Sequence, residues 1–153
     1  MINFRNDLFW FPLNHSRKDS TPKNLSRLAL DPSSKKILVA DPLMIRRKPL
    51  VHQLSSLGFP EASEAESGSE SLILLKSEPH HALICSSNIE NPDSLTLLKR
   101  IRESPNLAKL QVVMFFEDQE DERIVSATRA GMDAYLTHPI QEKDLKILLE
   151  RIW

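Results

Sequence analysis

This 153-residue chain has a single cysteine, Cys85. One thiol cannot close an internal disulfide, and no cysteine–histidine cluster has zinc spacing. The setting expected is reducing and cytoplasmic, with no metal and no cofactor. No apolar run approaches the ~20 residues that a membrane helix needs. The longest near the start, Leu8-Phe9-Trp10-Phe11-Pro12-Leu13, closely follows Arg5 and Asp7 and has no small-residue cleavage site, which excludes a signal peptide. Internal repeats and dense Lys/Arg blocks are also lacking. What remains is 41% hydrophobic and 27% charged, the mix of a globular protein, at a length that suits one domain.

The net charge of −1 conceals a split. Residues 1–36 hold seven Lys/Arg against three Asp, a charge of +4, and residues 37–153 hold thirteen against eighteen acids, −5. Residues 1–35 read as a basic, partly disordered leader, with a Ser-, Asn- and Pro-rich linker over 14–35 and a short helical hint at Leu25–Leu30. A basic leader on an acidic domain suits either a solvated arm or an adaptor for nucleic acid, and the missing basic block favours the arm. The aromatic run within it needs cover, from its own domain or from a partner.

From Lys36 to Trp153 the texture is that of a folded domain. Apolar runs at 36–40, 81–85, 110–116 and 134–137 read as buried strands, with a weaker, polar one at 61–65. Helices are expected over 43–57, 69–76, 93–102, 119–130 and 143–152. Gly58 closes the 43–57 helix, and Pro49 within it predicts a kink or a start delayed to about Lys48. Asp93 or Ser94 caps the 93–102 helix, whose inward stripe is Leu95, Leu98 and Ile101. Gly131 ends the 119–130 helix at a left-handed position. The acidic stretch Glu117 to Glu122 opens that helix, where negative charge suits the helix dipole. Strands alternating with helices imply a parallel sheet covered on both faces, a three-layer flavodoxin-like (βα)5 fold with right-handed crossovers and strand order 2-1-3-4-5. Chemistry in such a fold lies at the carboxyl ends of the strands, here at Asp41, Ser86, Phe116 and His138.

The segments Ile37-Leu38-Val39-Ala40-Asp41, Leu95 to Arg102 and Ala130-Gly131-Met132-Asp133-Ala134-Tyr135-Leu136-Thr137-His138-Pro139 stand in an order that resembles the receiver domain of bacterial response regulators. The resemblance covers Lys36 to Trp153. It implies a domain that transfers a phosphoryl group to an Asp, helped by an acidic pair that holds Mg²⁺, a Ser or Thr, and a Lys. At those places this chain has Ser86 for the acceptor, Asp41 followed by Pro42 for the acidic pair, Phe116 for the hydroxyl and His138 for the Lys. A serine hydroxyl without a base is a poor nucleophile, one carboxylate holds Mg²⁺ poorly, and Phe116 cannot bond a phosphoryl oxygen. The resemblance therefore points to a degenerate pseudo-receiver, not an enzyme, that binds protein partners in two-component signalling without phosphorylation. It also implies that Tyr135 keeps one rotamer packed on Phe116, and that the His138–Pro139 bond is cis.

Three alternatives rest on particular residues. Ser86, His138 and Asp41 could form a nucleophile–base–orienter set. An unorthodox acceptor could sit at Asp93 or Glu90, giving Mg²⁺-dependent phosphoryl transfer, although Asp93 is better explained as a helix cap. Arg46-Arg47-Lys48 could hold an anion, or could be the solvated face of its helix. Cys85 reads as a buried core thiol, His80 and His81 as loop residues, and His52 as a surface histidine. No output domain is expected after Trp153, so output is expected through the receiver itself. The family's usual partner or homodimer face would present Arg123, Thr128, Tyr135, Lys143, Lys146 and Trp153.

Overall fold

The computed structural model describes residues 31–60 and 62–153. Over these, strands and helices alternate as β1 (Ile37–Ala40), α1 (Met44–Ser56), β2 (Ser63–Ala65), α2 (Gly68–Ser77), β3 (Ala82–Ser86), α3 (Ser94–Glu103), β4 (Gln111–Phe116), α4 (Arg123–Arg129), β5 (Ala134–Thr137) and α5 (Glu142–Ile152). The strands form one parallel sheet in the order β2-β1-β3-β4-β5, the flavodoxin-like arrangement anticipated from the sequence. No helix among the described residues is long and apolar enough to cross a membrane.

Side chains alternate across the sheet and divide the core in two. Leu38, Leu83, Cys85, Met114, Phe116 and Tyr135 face the layer of α2, α3 and α4. Ile37, Val39, Ile84, Val113, Phe115 and Leu136 face α1 and α5. Because β1, β3, β4 and β5 are covered on both sides, they read as continuous apolar runs rather than alternating ones.

Local chemistry sets the helix ends. Asp93 caps α3, its carboxylate accepting from the Thr96 amide at 3.4 Å and from the Thr96 hydroxyl at 2.5 Å. Ser67 caps α2 by accepting from the Glu70 amide at 3.1 Å, and the Glu70 carboxylate reaches back to the Glu66 amide at 2.8 Å. Gly131 follows α4 with a φ of +105°, and a Cβ there would come within 2.9 Å of Arg102 Nε. Arg102 in turn donates to the carbonyls of Ala108, Leu110 and Gly131 and to Asp133, fastening the amino ends of β4 and β5.

Several expectations need correction. The start of α1 is not delayed by Pro49. The helix runs from Met44 with Pro49 inside it. Pro49 cannot donate to the carbonyl of Ile45, but Ile45 lies on the solvent side, where water can serve that oxygen. Leu43 is exposed rather than part of the inward stripe, and Arg47 takes a buried position in line with Leu50 and Leu54. In α3 the buried residues are Ser94, Leu97, Leu98 and Ile101, with Leu95 only partly covered. The expected helix over 119–130 contracts to seven residues. Asp118 accepts from the Glu120 amide at 2.8 Å and Asp121 from the Arg123 amide at 2.9 Å, so these side chains take up backbone donors in turns ahead of the helix. Glu117 to Glu122 is thus a loop and not the first turn of α4.

Part of the presumed linker rests on the domain. Asp31 caps a single 3-10 turn over Pro32–Ser34, and Pro32 lies 3.2 Å from where a Cβ at Gly58 would stand. Lys35 Nζ sits 5.4 Å over the Trp153 ring, which leans on Phe59 at 5.7 Å between centroids. The rest of the leader, including the aromatic run and the helical hint at Leu25–Leu30, lies outside the described residues.

Candidate functional site

The sheet ladder brings the four strand-end positions together. Asp41 donates its amide to the Ala65 carbonyl at 3.1 Å, Ser87 to Phe115 at 2.9 Å, and His138 to Phe116 at 3.0 Å. Each bond extends a strand pairing by one residue and fixes the side chain at the carboxyl edge. Ser86 ends β3 and Phe116 ends β4.

Asp41 is 1% exposed. Its Oδ1 accepts from the Leu43 amide at 2.7 Å, whereas Oδ2 has no partner among the described residues. Burial raises the Asp41 pKa, against the Leu43 bond and the nearby charges of Arg46, His138 and Arg47. The Ser86 hydroxyl accepts from the Asn88 amide at 3.1 Å. His138 Nε2 is buried without a partner among the described residues, and its ring meets Phe115 edge-on at 5.1 Å. Burial and Arg46 hold the His138 pKa below its usual value, so the imidazole is neutral near pH 7. The nucleophile–base bond between Ser86 and His138 is not formed. Phe116 is 0% exposed and meets Tyr135 edge-on, 6.0 Å between centroids at 86°. The His138–Pro139 bond is cis, and so is Asn91–Pro92, which the sequence reading did not single out.

A magnesium ion does not fit this donor set. Mg²⁺ holds a near-ideal octahedron of oxygens and is usually anchored by carboxylates. Here Pro42 contributes no side-chain oxygen, Ser86 is neutral, and one free carboxylate oxygen remains, Asp41 Oδ2.

Three loops around these positions are tied to one another. Arg46 at the start of α1 reaches Glu117 beyond β4 at 2.5 Å, and Asn88 beyond β3 donates to the same carboxylate at 3.4 Å. Arg123 donates to the Ser87 carbonyl at 2.8 Å, to the Ser87 hydroxyl and Asn88 at 3.2 Å, and to Asp121 at 2.7 Å. Sequence reasoning missed Glu117, Asn88 and Asp121 as a clamp. The available signal was the excess of acids at 117–122 facing Arg46 and Arg123.

The remaining candidates fall outside this edge or are engaged. Asp93 is the α3 cap, and the Thr96 hydroxyl holds its carboxyl below the usual range. Cys85 is buried, and burial together with Asp41 pushes its thiol pKa up, which makes it unreactive. Arg46-Arg47-Lys48 is not a free anion site, and only Lys48 of the three is on a solvated face. Arg47 is buried against the Asp41 carbonyl, Glu64 and Glu66, Lys48 pairs with Glu64, and Arg46 with Glu117. His80 and His81 lie in the loop between α2 and β3, as expected, but His80 is engaged there. Its side chain is fully covered, with Nδ1 3.1 Å from the Glu78 carbonyl and Nε2 3.3 Å from Ser63 Oγ, and His81 Nδ1 accepts from the Lys36 amide at 2.9 Å. The supposed partner face contracts as well. Tyr135 is buried, Trp153 packs on Phe59, Arg123 is committed to the clamp, and the Thr128 hydroxyl bonds back to Ile124 at 2.7 Å. Lys143 and Lys146 remain exposed.

Comparison with known proteins agrees with this fold. The family model of the response regulator receiver domain matches residues 37–150. The chain is 30% identical over 118 residues to the chemotaxis protein CheY-3 of Vibrio cholerae, covering 77% of this chain and 91% of that one. It is 29% identical to the chemotaxis protein CheY of Pseudomonas aeruginosa, covering 95% of it. The chemotaxis response regulator CheY4 of Vibrio cholerae superposes with a TM-score of 0.72 over 78% of this chain and 98% of its own, at 20% identity, a likeness of fold. With the strand order, the retained Asp41 and the buried Tyr135 all in place, the chain belongs to the receiver domains of response regulators, the signalling modules of two-component systems.

Proposed function

We propose that this receiver signals by protein contact alone, as a phosphorylation-independent pseudo-receiver. The observation that carries the reading is Phe116, fully buried and packed edge-on against Tyr135 where the family's resemblance places a phosphate-bonding hydroxyl. An aromatic ring there offers a phosphoryl oxygen nothing to bond and keeps Tyr135 in place by packing. The departures at Pro42, Ser86 and His138 point the same way, because each replaces a group that phosphoryl transfer needs. A protein partner recognising one fixed conformation is the output that such a domain supports. Lys143 and Lys146 on α5 suit a partner of negative charge, or the homodimer contact of the α4–β5–α5 face. The test is an amide NMR titration of the chain with Mg²⁺ and then beryllium fluoride, a phosphoryl mimic. A spectrum unchanged around Asp41, Ser86 and Tyr135 is the expected result. Shifts at millimolar Mg²⁺ that grow with the mimic overturn the reading.

A further inference from the structure

The start of α1 leaves an apolar ridge in water. Leu43 is 49% exposed, Met44 59% and Ile45 80%. Three adjacent large apolar side chains at one helix entry form a patch of the kind that soluble domains cover. Neither α1 nor the sheet needs them outside, since the inward positions of α1 are already filled by Arg47, Leu50 and Leu54. The same chain carries a second uncovered need, the run Leu8-Phe9-Trp10-Phe11-Pro12-Leu13. We propose that residues 8–13 seat on the Leu43-Met44-Ile45 ridge, so that the chain's own leader caps the carboxyl edge of its sheet.

Length and charge both suit this occupant. The described chain begins at Asp31, beside Pro32, which rests against Gly58 just past the far end of α1. The span to the ridge is therefore about the length of α1, roughly 20 Å for 13 residues. Residues 14–30 supply 17 links, which reach roughly 56 Å at full extension. A chain of that length behaving as a coil averages about 23 Å end to end, close to the span required, so the tethered run is held at high effective concentration beside the ridge. Residues 5–18, which contain the apolar run, hold Arg5, Arg17 and Lys18 against Asp7, a charge of +2. The ridge is bordered by the acidic loop 117–122, because Arg46, the residue after Ile45, is held by Glu117 of that loop. Apolar residues would thus meet apolar, and a basic flank an acidic rim.

The test uses the full chain. It has two tryptophans, Trp10 and Trp153, so Trp153→Phe leaves Trp10 as the sole indole reporter. In that protein Trp10 is expected to emit at short wavelength and to resist acrylamide quenching, equally at all protein concentrations. Adding Ile45→Glu is expected to shift the emission to longer wavelength and abolish the protection, with the far-UV circular dichroism unchanged because Ile45 is exposed. Ile73→Glu, at an exposed apolar site on α2, is the control and is expected to leave Trp10 protected. The proposal is overturned if Trp10 is unprotected from the outset, if protection survives Ile45→Glu, or if Ile73→Glu removes it too. Protection that grows with protein concentration also overturns it, by making a second copy the occupant.

Discussion

At the residue scale, this domain keeps several ionisable groups in states they would not hold in water. The pKa values of His80, His81 and His138 all lie below the ordinary 6.5, burial being the largest cause for each. A depressed folded pKa means that the unfolded chain takes up the proton first. The stability these neutral histidines contribute is fully present above 6.5 and is lost as the pH falls through their lower folded values. Asp41 works in the opposite sense. Its raised pKa makes the folded state bind a proton first, so protonation on acidification relieves a cost rather than imposing one. The melting temperature should therefore decline between about pH 7.5 and about pH 5.5, the interval in which histidine titrates. His138→Asn should flatten that decline, since its Nε2 makes no hydrogen bond that the variant would lose to the described residues. A slope identical in wild type and variant would show that His138 does not titrate in this window. Residues of this kind were only half legible in the sequence. Asp41 and His138 could be placed at strand ends by counting, but their desolvation depends on Phe115 and on loops that come from elsewhere in the chain.

At the scale of elements, the legible part was what depends on neighbours a few residues away. The apolar runs of β1, β3, β4 and β5, the Asp93 cap and the left-handed Gly131 are local signals, and each lies within a residue or so of its expected place. Two of the misses share one cause, a side chain spent on a distant or turn-forming partner. Arg47 looked like a surface cation because nothing within its own helix shows that Glu64, Glu66 and the Asp41 carbonyl surround it. The acids at 118 and 121 looked like a favourable helix start, yet their carboxylates compete for the very amides a helix would use. Pro49 offers a direct test of the element that tolerates it. Interior proline costs about 3 kcal/mol relative to alanine, offset by the ~1 kcal/mol it takes from unfolded-chain entropy. Pro49→Ala should raise the unfolding free energy by about 2 kcal/mol in a urea titration, the difference of these two effects. No gain would mean that the loss of the 49-to-45 bond is already made good in the native helix.

At the scale of the whole molecule, the proposed function has architecture and chemistry part. The five-strand order is that of a receiver, while on the proposed reading the donors at its carboxyl edge do not serve phosphoryl transfer. On that reading the departures act together, since Phe116 stands where the resemblance places the hydroxyl, and Arg46 and Arg123 hold Glu117 and Asp121 nearby. No single reversal should therefore restore a response to beryllium fluoride. The combined replacement Pro42→Asp, Ser86→Asp, Phe116→Thr and His138→Lys should make the NMR spectrum sensitive to Mg²⁺ and the mimic. A response from Ser86→Asp alone would mean that the other three departures are incidental.

The Arg123 clamp has a consequence for how a partner meets this surface. By joining α4 to the turn after β3, it opposes the relative motion through which one face could be offered in two shapes. A ligand of that face meets its competent form on every encounter, and no fraction of its affinity is lost to waiting for a rarer one. Occupancy then follows the amounts of the two proteins in a simple saturation curve. If the receiver signals by contact alone, as proposed, abundance rather than chemical modification at the strand edge becomes the quantity through which a cell would adjust the signal.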